Sequence, residues 1–324
     1  MTFRYALLHE IDGQARARLR LFGPDARRFL QGTLTADVEG LASGRAVAAA
    51  LCTVKGKLVS ELVLMPGAEE DELCALVPAE EAESLAAHFD KHIIMDEVEV
   101  ESQGPVGVAL VWPEAADPAA PTVGLAPGLV MPPGVEVWPT RHPAPGQLCV
   151  AQPEVLGAAL AEHVAVDAAG WDAYRIATAS PAWGREIEAG FFPPEIGFVY
   201  AVSYDKGCFL GQEPLARIHA RGQVNRVMVR IHADRAPAAI TALASEDRAN
   251  AGRWTSWAPS PGSDEGGGVD GLAVVRRALA SPGQRLRTTD DPPIEVEIRS
   301  KPLGDDPGVG GRSRAATVKL GGPR

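Results

Sequence analysis

The hydrophobic pattern near the start of the chain predicts a strand, a turn, a helix and a hairpin. Apolar and charged residues alternate from Arg16 to Phe22, as they do in a half-buried strand. A Gly-Pro-Asp turn follows, and Asp25 stands where it can cap the next helix. Two apolar runs on either side of a Lys-Gly turn then predict a hairpin over residues 46–65.

A short strand that leads through a proline into a helix occurs twice in the chain. Cys74 and Pro78 in the first copy have counterparts 75 positions later, at Cys149 and Pro153. The match predicts a repeated structural unit in which the two cysteines occupy equivalent core positions. A chance similarity between two ordinary amphipathic helices is the alternative.

The hydrophobic pattern changes after residue 225, where short apolar runs are separated by clusters of turn residues. Such a pattern is typical of a small β-barrel or sandwich. The predicted fold class is therefore α+β, with a pseudo-repeated α+β domain over residues 1–225 and a small C-terminal β-barrel over 226–302. Within the first domain the repeat units lie near 46–101 and 147–200. The Gly- and Pro-rich residues 303–324 are predicted to be a disordered tail.

Charge and composition limit the classes of function. The chain has 324 residues, of which 42 are acidic and 31 basic, so its formal net charge is −11. An acidic protein is poorly suited to coating nucleic acid or anionic lipid, although a local basic site is compatible with it. No apolar run approaches the ~18 residues of a membrane span, and the N-terminus lacks a secretory pattern. A cytoplasmic protein is expected.

The four cysteines are far apart and form no C-x-x-C pair, which disfavours a zinc site. Cys52, Cys74 and Cys149 lie in apolar runs and are predicted to be buried free thiols in a reducing compartment. Cys208 differs, because it lies in a charged turn that contains the glycines Gly207 and Gly211.

The segment around Cys208 is the candidate reactive site. An apolar run at residues 198–204 predicts a strand, and a Gly-Gln-Glu-Pro sequence then opens a predicted helix. A thiol just before a helix N-terminus, with Lys206 nearby, is expected to have a lowered pKa. Such a thiolate can be a nucleophile, a redox thiol or a metal ligand. The alternative is a tight β–α turn with an inert cysteine.

Arginines are concentrated directly after this turn. They are Arg217, Arg221, Arg226, Arg230 and Arg235, with Asp234 as the one acid among residues 215–235. In an acidic protein this strip predicts a place for an anionic ligand such as a polycarboxylate or a phosphate. An exposed solubilising face is the alternative.

A second group of candidate binding residues precedes the turn. Trp183 offers aromatic surface, Arg175 a fixed cation, and Glu186 and Glu195 carboxylates, with Glu195 held by a Pro-Pro turn. These side chains would suit a flat heterocycle with a carboxylate tail. The alternative is that the aromatic residues belong to the core and the charges to the surface.

The sequence KGCFLGQEPLAR resembles the K-G-C-[FY]-x-G-Q-E signature of the YgfZ-type folate-binding proteins. These proteins are relatives of the glycine-cleavage T-protein, an aminomethyltransferase. Further segments resemble the same family in the same order: GPDARRFLQGTLTADV, CTVKGKLVSELVL, YRIATASPAWGREI with PPEIG, and the late RVMVRI and GLAVVRR. The similarity extends over most of the chain.

The resemblance implies a fold, a cofactor and partners. The fold would be a folate-binding α+β domain followed by a small barrel, with tetrahydrofolate or a derivative in a central cavity. The partners would be folate and iron–sulfur client proteins, including radical enzymes that modify tRNA, for which the protein would support cluster assembly or repair. Neither a membrane nor extensive nucleic-acid contact is expected, and the oligomeric state is left open.

The resemblance also assigns residues. Arg175 would lie where T-proteins hold the folate, and Glu195 beside the same pocket. Glu186 and Trp183, from the group of candidate binding residues described above, complete the predicted folate-binding set. Cys208 would be the reactive thiol or a transient cluster contact, without a resident metal, and Lys206 would tune it. The signature loop consists of Gly207, Phe209, Gly211, Gln212, Glu213 and Arg217.

Two departures from the T-protein pattern favour the YgfZ-type branch. T-proteins carry adjacent acids in the first hairpin, at positions that correspond here to Ser60 and Glu61. Without the first carboxylate, a group that handles the proton of aminomethyl transfer is missing. T-proteins also lack the cysteine that is Cys208 here. An aminomethyltransferase or other one-carbon folate enzyme, with Glu61 as its acid, is the alternative function.

Overall fold

A computed structural model describes residues 2–41, 44–114, 129–221, 224–261 and 267–303 of the chain. A mixed α+β region comes first and a closed β-barrel follows it. The predicted fold class is therefore confirmed. The predicted disordered tail falls outside the described residues, apart from Leu303.

The first region is built on a nine-stranded sheet. Its strands are β1 (Phe3–Leu7), β2 (Arg16–Phe22), β3 (Val47–Cys52), β4 (Leu58–Pro66), β5 (Glu72–Pro78), β6 (Glu99–Pro113), β7 (Glu136–Thr140), β8 (Gly146–Ala151) and β9 (Val164–Ala165). The long strand β6 joins the two halves of the sheet, because it pairs with β2 along its first part and with β1 and β8 along its second. The predicted hairpin is β3–β4.

Five α-helices accompany the strands in the described part of the chain. They are α1 (Ala26–Thr33), α2 (Ala82–His92), α3 (Pro153–Ala159), α4 (Ala168–Ala177) and α5 (Gln212–Arg221). Asp25 immediately precedes α1, but its carboxylate accepts from the Glu97 amide at 2.9 Å instead of capping the helix. Asp167 does cap α4, because its carboxylate accepts from the Gly170 amide at 2.8 Å.

The barrel is closed by six antiparallel strands. They are β10 (Arg226–Ala233), β11 (Thr241–Ser245), β12 (Arg248–Pro259), β13 (Val269–Arg276), β14 (Arg285–Thr288) and β15 (Glu295–Ile298). Alternate residues of these strands point inward and bury a cluster that includes Val227, Trp254 and Val275. Closure leaves no strand of the barrel with an unpaired edge.

The apolar run at residues 198–204 does not form the predicted strand. Val199–Ala201 is a single 3₁₀ turn instead. Backbone polar groups of this segment form hydrogen bonds with Thr35 in the loop after α1. The Thr35 hydroxyl donates to the Ala201 carbonyl at 2.6 Å, and the Ser203 amide donates to the Thr35 carbonyl at 2.9 Å. Local β propensity is overridden because a tertiary partner takes the ladder hydrogen bonds.

The strand-helix pattern that recurs in the sequence corresponds to β5 with α2 and to β8 with α3. Cys74 and Cys149 are both buried on the strands of these pairs. They pack in different apolar clusters, however, one with Met65 and Leu76 and the other with Phe3 and Leu156. Among the described residues no helix is long and apolar enough to cross a membrane.

Candidate functional site

An open cavity of about 760 Å³ lies where the hairpin β3–β4 meets the edge of the barrel. We call it the basic cavity. Its size suits a drug-sized or cofactor-sized ligand. The charged residues that line it among those described are Lys57, Glu195, Arg226, Arg248, Arg276 and Arg277. Five cations against a single carboxylate make it a local positive site in a chain with a net charge of −11.

Glu195 is the acidic group of this cavity, and its position is determined locally. It lies in the 3₁₀ turn Pro193–Ile196, whose two prolines begin the turn, and it is only 5 % exposed. Its Oε2 accepts from the Phe192 amide at 3.0 Å and lies 3.5 Å from the Lys57 Nζ. A buried carboxylate with one backbone partner and one nearby ammonium is kept in a single orientation.

Aromatic rings support two of the cavity's cations. The Lys57 Nζ lies 3.4 Å from the centroid of the Phe192 ring, and the Arg226 guanidinium carbon lies 5.4 Å from that of Phe191. Both distances are within the range of cation–π attraction. The two rings therefore help to fix the positions of Lys57 and Arg226.

Lys206 of the signature loop is buried and points away from solvent. Its Nζ donates to the Leu34 carbonyl at 2.8 Å and to the Ala36 carbonyl at 2.5 Å, and it lies 5.1 Å from the Phe209 ring centroid. Burial lowers the pKa of Lys206 from 10.5 to about 8. Lys206 thus fastens the loop to the segment after α1, and its predicted influence on Cys208 stays a prediction.

The signature loop packs tightly on the turn of the hairpin β3–β4. Gly211 has φ +82°, and a Cβ there would lie 2.5 Å from the Thr53 carbonyl oxygen. Gly56 in the hairpin turn has φ +72°, and a Cβ there would lie 2.9 Å from Cγ of Pro214. Only glycine permits this approach at both positions. The loop is consequently held beside the turn that carries Lys57.

Cys208 is the one exposed cysteine of the four. It lies between exposed Gly207 and buried Phe209, four positions before α5 begins at Gln212. Burial raises the pKa of both Cys52 and Cys149 to about 12, which makes those thiols inert. The predicted burial of Cys52, Cys74 and Cys149 is confirmed.

Glu213 and Arg217 form an exposed ion pair in the first turns of α5. The Arg217 Nη2 lies 2.7 Å from the Glu213 Oε1, and the two side chains are 56 % and 84 % exposed respectively. An exposed pair at this spacing adds little stability. The structure therefore gives both residues a surface position.

Arg175 and Glu186 lie in a buried polar network and not at the wall of the basic cavity. The Arg175 Nε donates to Asp172 at 2.6 Å and its Nη1 donates to Glu186 at 3.1 Å, while Nη2 donates to Ser256. Glu186 also accepts from the Thr255 hydroxyl. This network joins α4 to strand β12 of the barrel. Contact of Arg175 or Glu186 with folate stays a prediction.

Trp183 is also buried, in an apolar cluster with Leu58 and Phe198. Its Nε1 donates to the Glu80 carboxylate at 2.9 Å. This hydrogen bond ties the segment after α4 to the start of the α2 region. Trp183 therefore occupies a core position, which is the alternative role that the sequence analysis gave for the aromatic residues. Contact of Trp183 with folate stays a prediction.

The arginine strip predicted from the sequence does not form one surface. Arg226 alone of its described side chains lines the basic cavity; Arg230 donates to the carbonyls of Ile176 and Ala177, and Arg235 to that of Pro292. The side chain of Arg221 lies outside the described residues. Arg226 and Arg230 share the outer face of β10 but lie about 13 Å apart along the strand, and Arg235 follows the end of that strand.

Sequence reasoning missed four cations of the cavity. They are Lys57, Arg248, Arg276 and Arg277. Arg248, Arg276 and Arg277 lie at or directly next to strand ends on the barrel rim, and Lys57 lies at the end of the hairpin turn. A paired arginine at the end of the run GLAVVRR was a local signal, but the meeting of that end with Lys57 depends on the tertiary fold.

The hairpin acid Glu61 is buried in an ionic cluster. Its Oε1 accepts from the Arg16 Nη2 at 2.7 Å and its Oε2 is 2.7 Å from the His142 Nε2. Tyr200 contacts the other ring nitrogen of His142 at 3.0 Å. Although burial alone would raise the pKa of Glu61, His142 and Arg16 hold it below its ordinary value. Glu61 is thus an ionised structural carboxylate.

No family model matches the chain. The chain is 28 % identical over 250 residues to the tRNA-modifying protein YgfZ of Vibrio vulnificus, which covers 73 % of this chain and 74 % of that protein. It is also 28 % identical to an aminomethyltransferase of Saccharopolyspora erythraea, over 83 % of this chain and 79 % of that one.

A solved structure has a similar fold. The crystal structure of the glycine cleavage system aminomethyltransferase T from Bartonella henselae superposes with a TM-score of 0.73 and 17 % identity, over 93 % of this chain and 86 % of that one. Several YgfZ proteins from other bacteria match at similar identity. The resemblance to the YgfZ-type proteins is therefore confirmed, on a chain that folds like an aminomethyltransferase.

Proposed function

We infer that this protein binds a reduced folate in the basic cavity and supports the assembly or repair of iron–sulfur clusters in client enzymes. The observation that carries the inference is the cavity itself, which joins five cations and one buried carboxylate in an otherwise acidic chain. The signature loop with its exposed cysteine packs on the turn that supplies one of these cations.

The residues of the cavity fit a folate. The donor edge of a pteridine ring suits the Glu195 carboxylate, and the carboxylates of the glutamate tail suit the arginines of the barrel rim. The rings of Phe191 and Phe192 hold Arg226 and Lys57 in place for such contacts. When bound, a tetrahydrofolate supplies a nitrogen that carries or accepts one-carbon units.

Cys208 is the group through which we expect the protein to act on a client. Its thiol is exposed, whereas its loop is anchored by Lys206 and by the glycine contacts with the hairpin. An accessible sulfur on a fixed loop can approach a cluster or a cluster-ligating cysteine of another protein. The clients proposed are iron–sulfur enzymes, tRNA-modifying ones among them, which accords with the name of the YgfZ relatives.

The aminomethyltransferase alternative has less support from the hairpin. Ser60 is buried and its hydroxyl is directed to the Glu61 carbonyl at 3.4 Å. Both carboxylate oxygens of Glu61 are already held by Arg16 and His142. Neither side chain is arranged to exchange a proton with a folate nitrogen. Ammonia-dependent formation of methylenetetrahydrofolate from an aminomethyl-lipoyl carrier would nevertheless establish this activity.

The proposal is tested by combining binding and complementation. Calorimetry with 5-formyltetrahydrofolate should give micromolar binding to the wild type and at least tenfold weaker binding to Glu195→Gln. Glu188→Gln is the matched control, because Glu188 pairs with Arg253 at 2.9 Å outside the cavity. In cells that lack this protein, the activities of several iron–sulfur enzymes should recover with the wild type and remain low with Cys208→Ala. Asp205→Asn, an exposed neighbour in the same loop, should restore them.

Each half of the proposal has its own contrary outcome. Absence of folate binding at high micromolar protein would remove the folate premise. Full activity of every iron–sulfur enzyme in the absence of the protein would overturn the accessory role.

A further inference from the structure

A second cavity, of about 320 Å³, lies at the start of helix α4. Its wall consists of the first turns of α4, residues 10–14 between strands β1 and β2, and Arg185 in the segment after α4. We call it the α4 cavity. Among the described residues, none lines both this cavity and the basic cavity. Its volume suits a small metabolite.

Two buried polar atoms in the wall residues of the α4 cavity have no hydrogen-bond partner within the described part of the chain. They are Oε1 of Gln14 and Nε1 of Trp171, and the two residues are 4 % and 1 % exposed. The Gln14 amide has a defined orientation, because its Nε2 donates to the carbonyls of Gly13 and Trp183 at 3.0 and 3.3 Å. Burial of an acceptor and a donor without partners destabilises a folded protein. The wall thus offers one acceptor and one donor to a ligand.

More carboxylates than cations line the α4 cavity. The guanidinium of Arg175 is already bound by two carboxylates, at 2.6 and 3.1 Å, and so has no charge to spare for a ligand. The charged wall residues outside this network are Glu10 and Asp12, which are exposed, and Arg185, which is half-buried. A ligand that complements two carboxylates and one guanidinium carries two cations and one anion.

We propose that the α4 cavity binds a free basic amino acid, such as arginine or lysine, at a site separate from that of folate. The carboxylate of the amino acid accepts from Nε1 of Trp171 and pairs with Arg185. Its α-ammonium donates to Oε1 of Gln14, and its side-chain cation lies towards Glu10 and Asp12. This placement gives both buried atoms a partner and balances the charges of the wall.

The first test compares three ligands by calorimetry on the intact protein. L-Arginine carries all three charges, L-citrulline has nearly the same shape with a neutral side chain, and agmatine lacks the carboxylate. L-Arginine should bind at least tenfold more tightly than either analogue, because each analogue loses one charge-assisted contact. The indole N–H resonance of Trp171, identified by its absence in Trp171→Phe, should shift when L-arginine is added, because Nε1 gains an acceptor.

The second test uses variants of wall residues whose side chains are not fully buried. Arg185→Gln and Asp12→Asn should each weaken the binding of L-arginine at least fivefold and leave the affinity for 5-formyltetrahydrofolate unchanged. Arg4→Gln is the matched control, because Arg4 pairs with exposed Glu114 outside the α4 cavity, and it should bind L-arginine like the wild type. Chemical denaturation checks that each variant is folded.

Three results would overturn the proposal. One is the absence of L-arginine binding at millimolar concentration, and another is equal affinity for L-arginine and both analogues. The third is displacement of L-arginine by 5-formyltetrahydrofolate, which would assign the α4 cavity to the folate site. Because the two cavities are titrated with different ligands, a lack of folate binding alongside normal binding of L-arginine would contradict the proposed function alone.

Discussion

At the scale of single residues, Lys206 shows that burial determines what a charged side chain binds. Lys206 is part of a signature that, by sequence, places its ammonium next to Cys208. In the structure it binds the carbonyls of Leu34 and Ala36. Gly56 and Gly211 also hold the signature loop in place, because the absence of a Cβ atom at each lets the loop and the hairpin turn pack together. The conspicuous residues of the signature thus hold the loop that presents the thiol.

Lys206 should give the protein a pH-dependent stability. Its pKa is about 8 in the folded chain, below the ordinary 10.5, so the unfolded chain binds more protons between these values. The stability linked to Lys206 is fully present above pH 10.5 and is lost as the pH falls through 8. Relative to Lys206→Met, the free energy of unfolding of the wild type should therefore rise by about 3 kcal/mol across this window. Urea denaturation at a series of pH values measures it.

Lys55→Met is the control for this experiment, because Lys55 is exposed in the hairpin turn. Its difference from the wild type should not change with pH. A constant difference between the wild type and Lys206→Met would contradict the assignment.

Whole elements are joined by buried polar contacts as well as by apolar packing. The network of Arg175, Glu186 and Ser256 connects α4 with strand β12 of the barrel. Arg230 makes a second link from strand β10 to the carbonyls at the end of α4. Helix α4 is therefore one structural connection between the sheet region and the barrel.

Removing one partner of the ion pair between Arg175 and Glu186 should lower the stability of the folded protein. In Arg175→Met the Glu186 carboxylate is left buried without its cation, and the free energy of unfolding should fall by about 3–5 kcal/mol. The double variant Arg175→Met/Glu186→Met should lose clearly less than the sum of its two single variants, because no fully buried charge is left unpaired, and the Asp172 carboxylate that also loses Arg175 is partly exposed. Chemical denaturation of all four proteins measures the coupling.

Arg253→Met provides the comparison, since its partly exposed pair with Glu188 should contribute less than about 1 kcal/mol. Additive losses at positions 175 and 186 would show that the pair is not coupled. Retention of folate binding by the stable double variant would leave Arg175 with a structural role, whereas its loss would favour the folate contact implied by the family resemblance.

In the molecule as a whole, the basic cavity lies between the sheet region and the barrel. Lys57 and Glu195 come from the sheet region, and Arg226 and Arg276 come from the barrel. A ligand that contacts both sides stabilises the folded arrangement of both. Because the charges lie in an open cavity, the attraction is subject to screening by salt.

A reduced folate should raise the melting temperature of the whole chain. At a free ligand concentration of about one hundred times Kd, the added free energy of unfolding is about 2.7 kcal/mol. Scanning calorimetry with 5-formyltetrahydrofolate should show this increase for both regions together, and a smaller increase at high salt. Glu195→Gln should show a reduced shift. A shift of equal size at low and high salt would argue against charge-dominated binding.

Much of the architecture follows from local pattern. The alternation over Arg16–Phe22 and the closing strands of the barrel were predictable because strand periodicity is a property of neighbouring residues. The apolar residues 198–204 do not form the strand that their pattern predicts, because hydrogen-bond partners of this segment lie on Thr35, far away in sequence. Local propensity cannot register such a partner.

The sequence by itself determined the fold class, the buried state of Cys52 and Cys149, and the exposed turn around Cys208, since each depends on nearby residues. Only the tertiary structure decided which charges meet. It directed Lys206 to backbone carbonyls, and it assembled the basic cavity from a hairpin, a 3₁₀ turn and the barrel rim. Ion pairs and cavities form where segments distant in sequence come together in space. Net charge and the spacing of residues along the chain do not predict which segments meet.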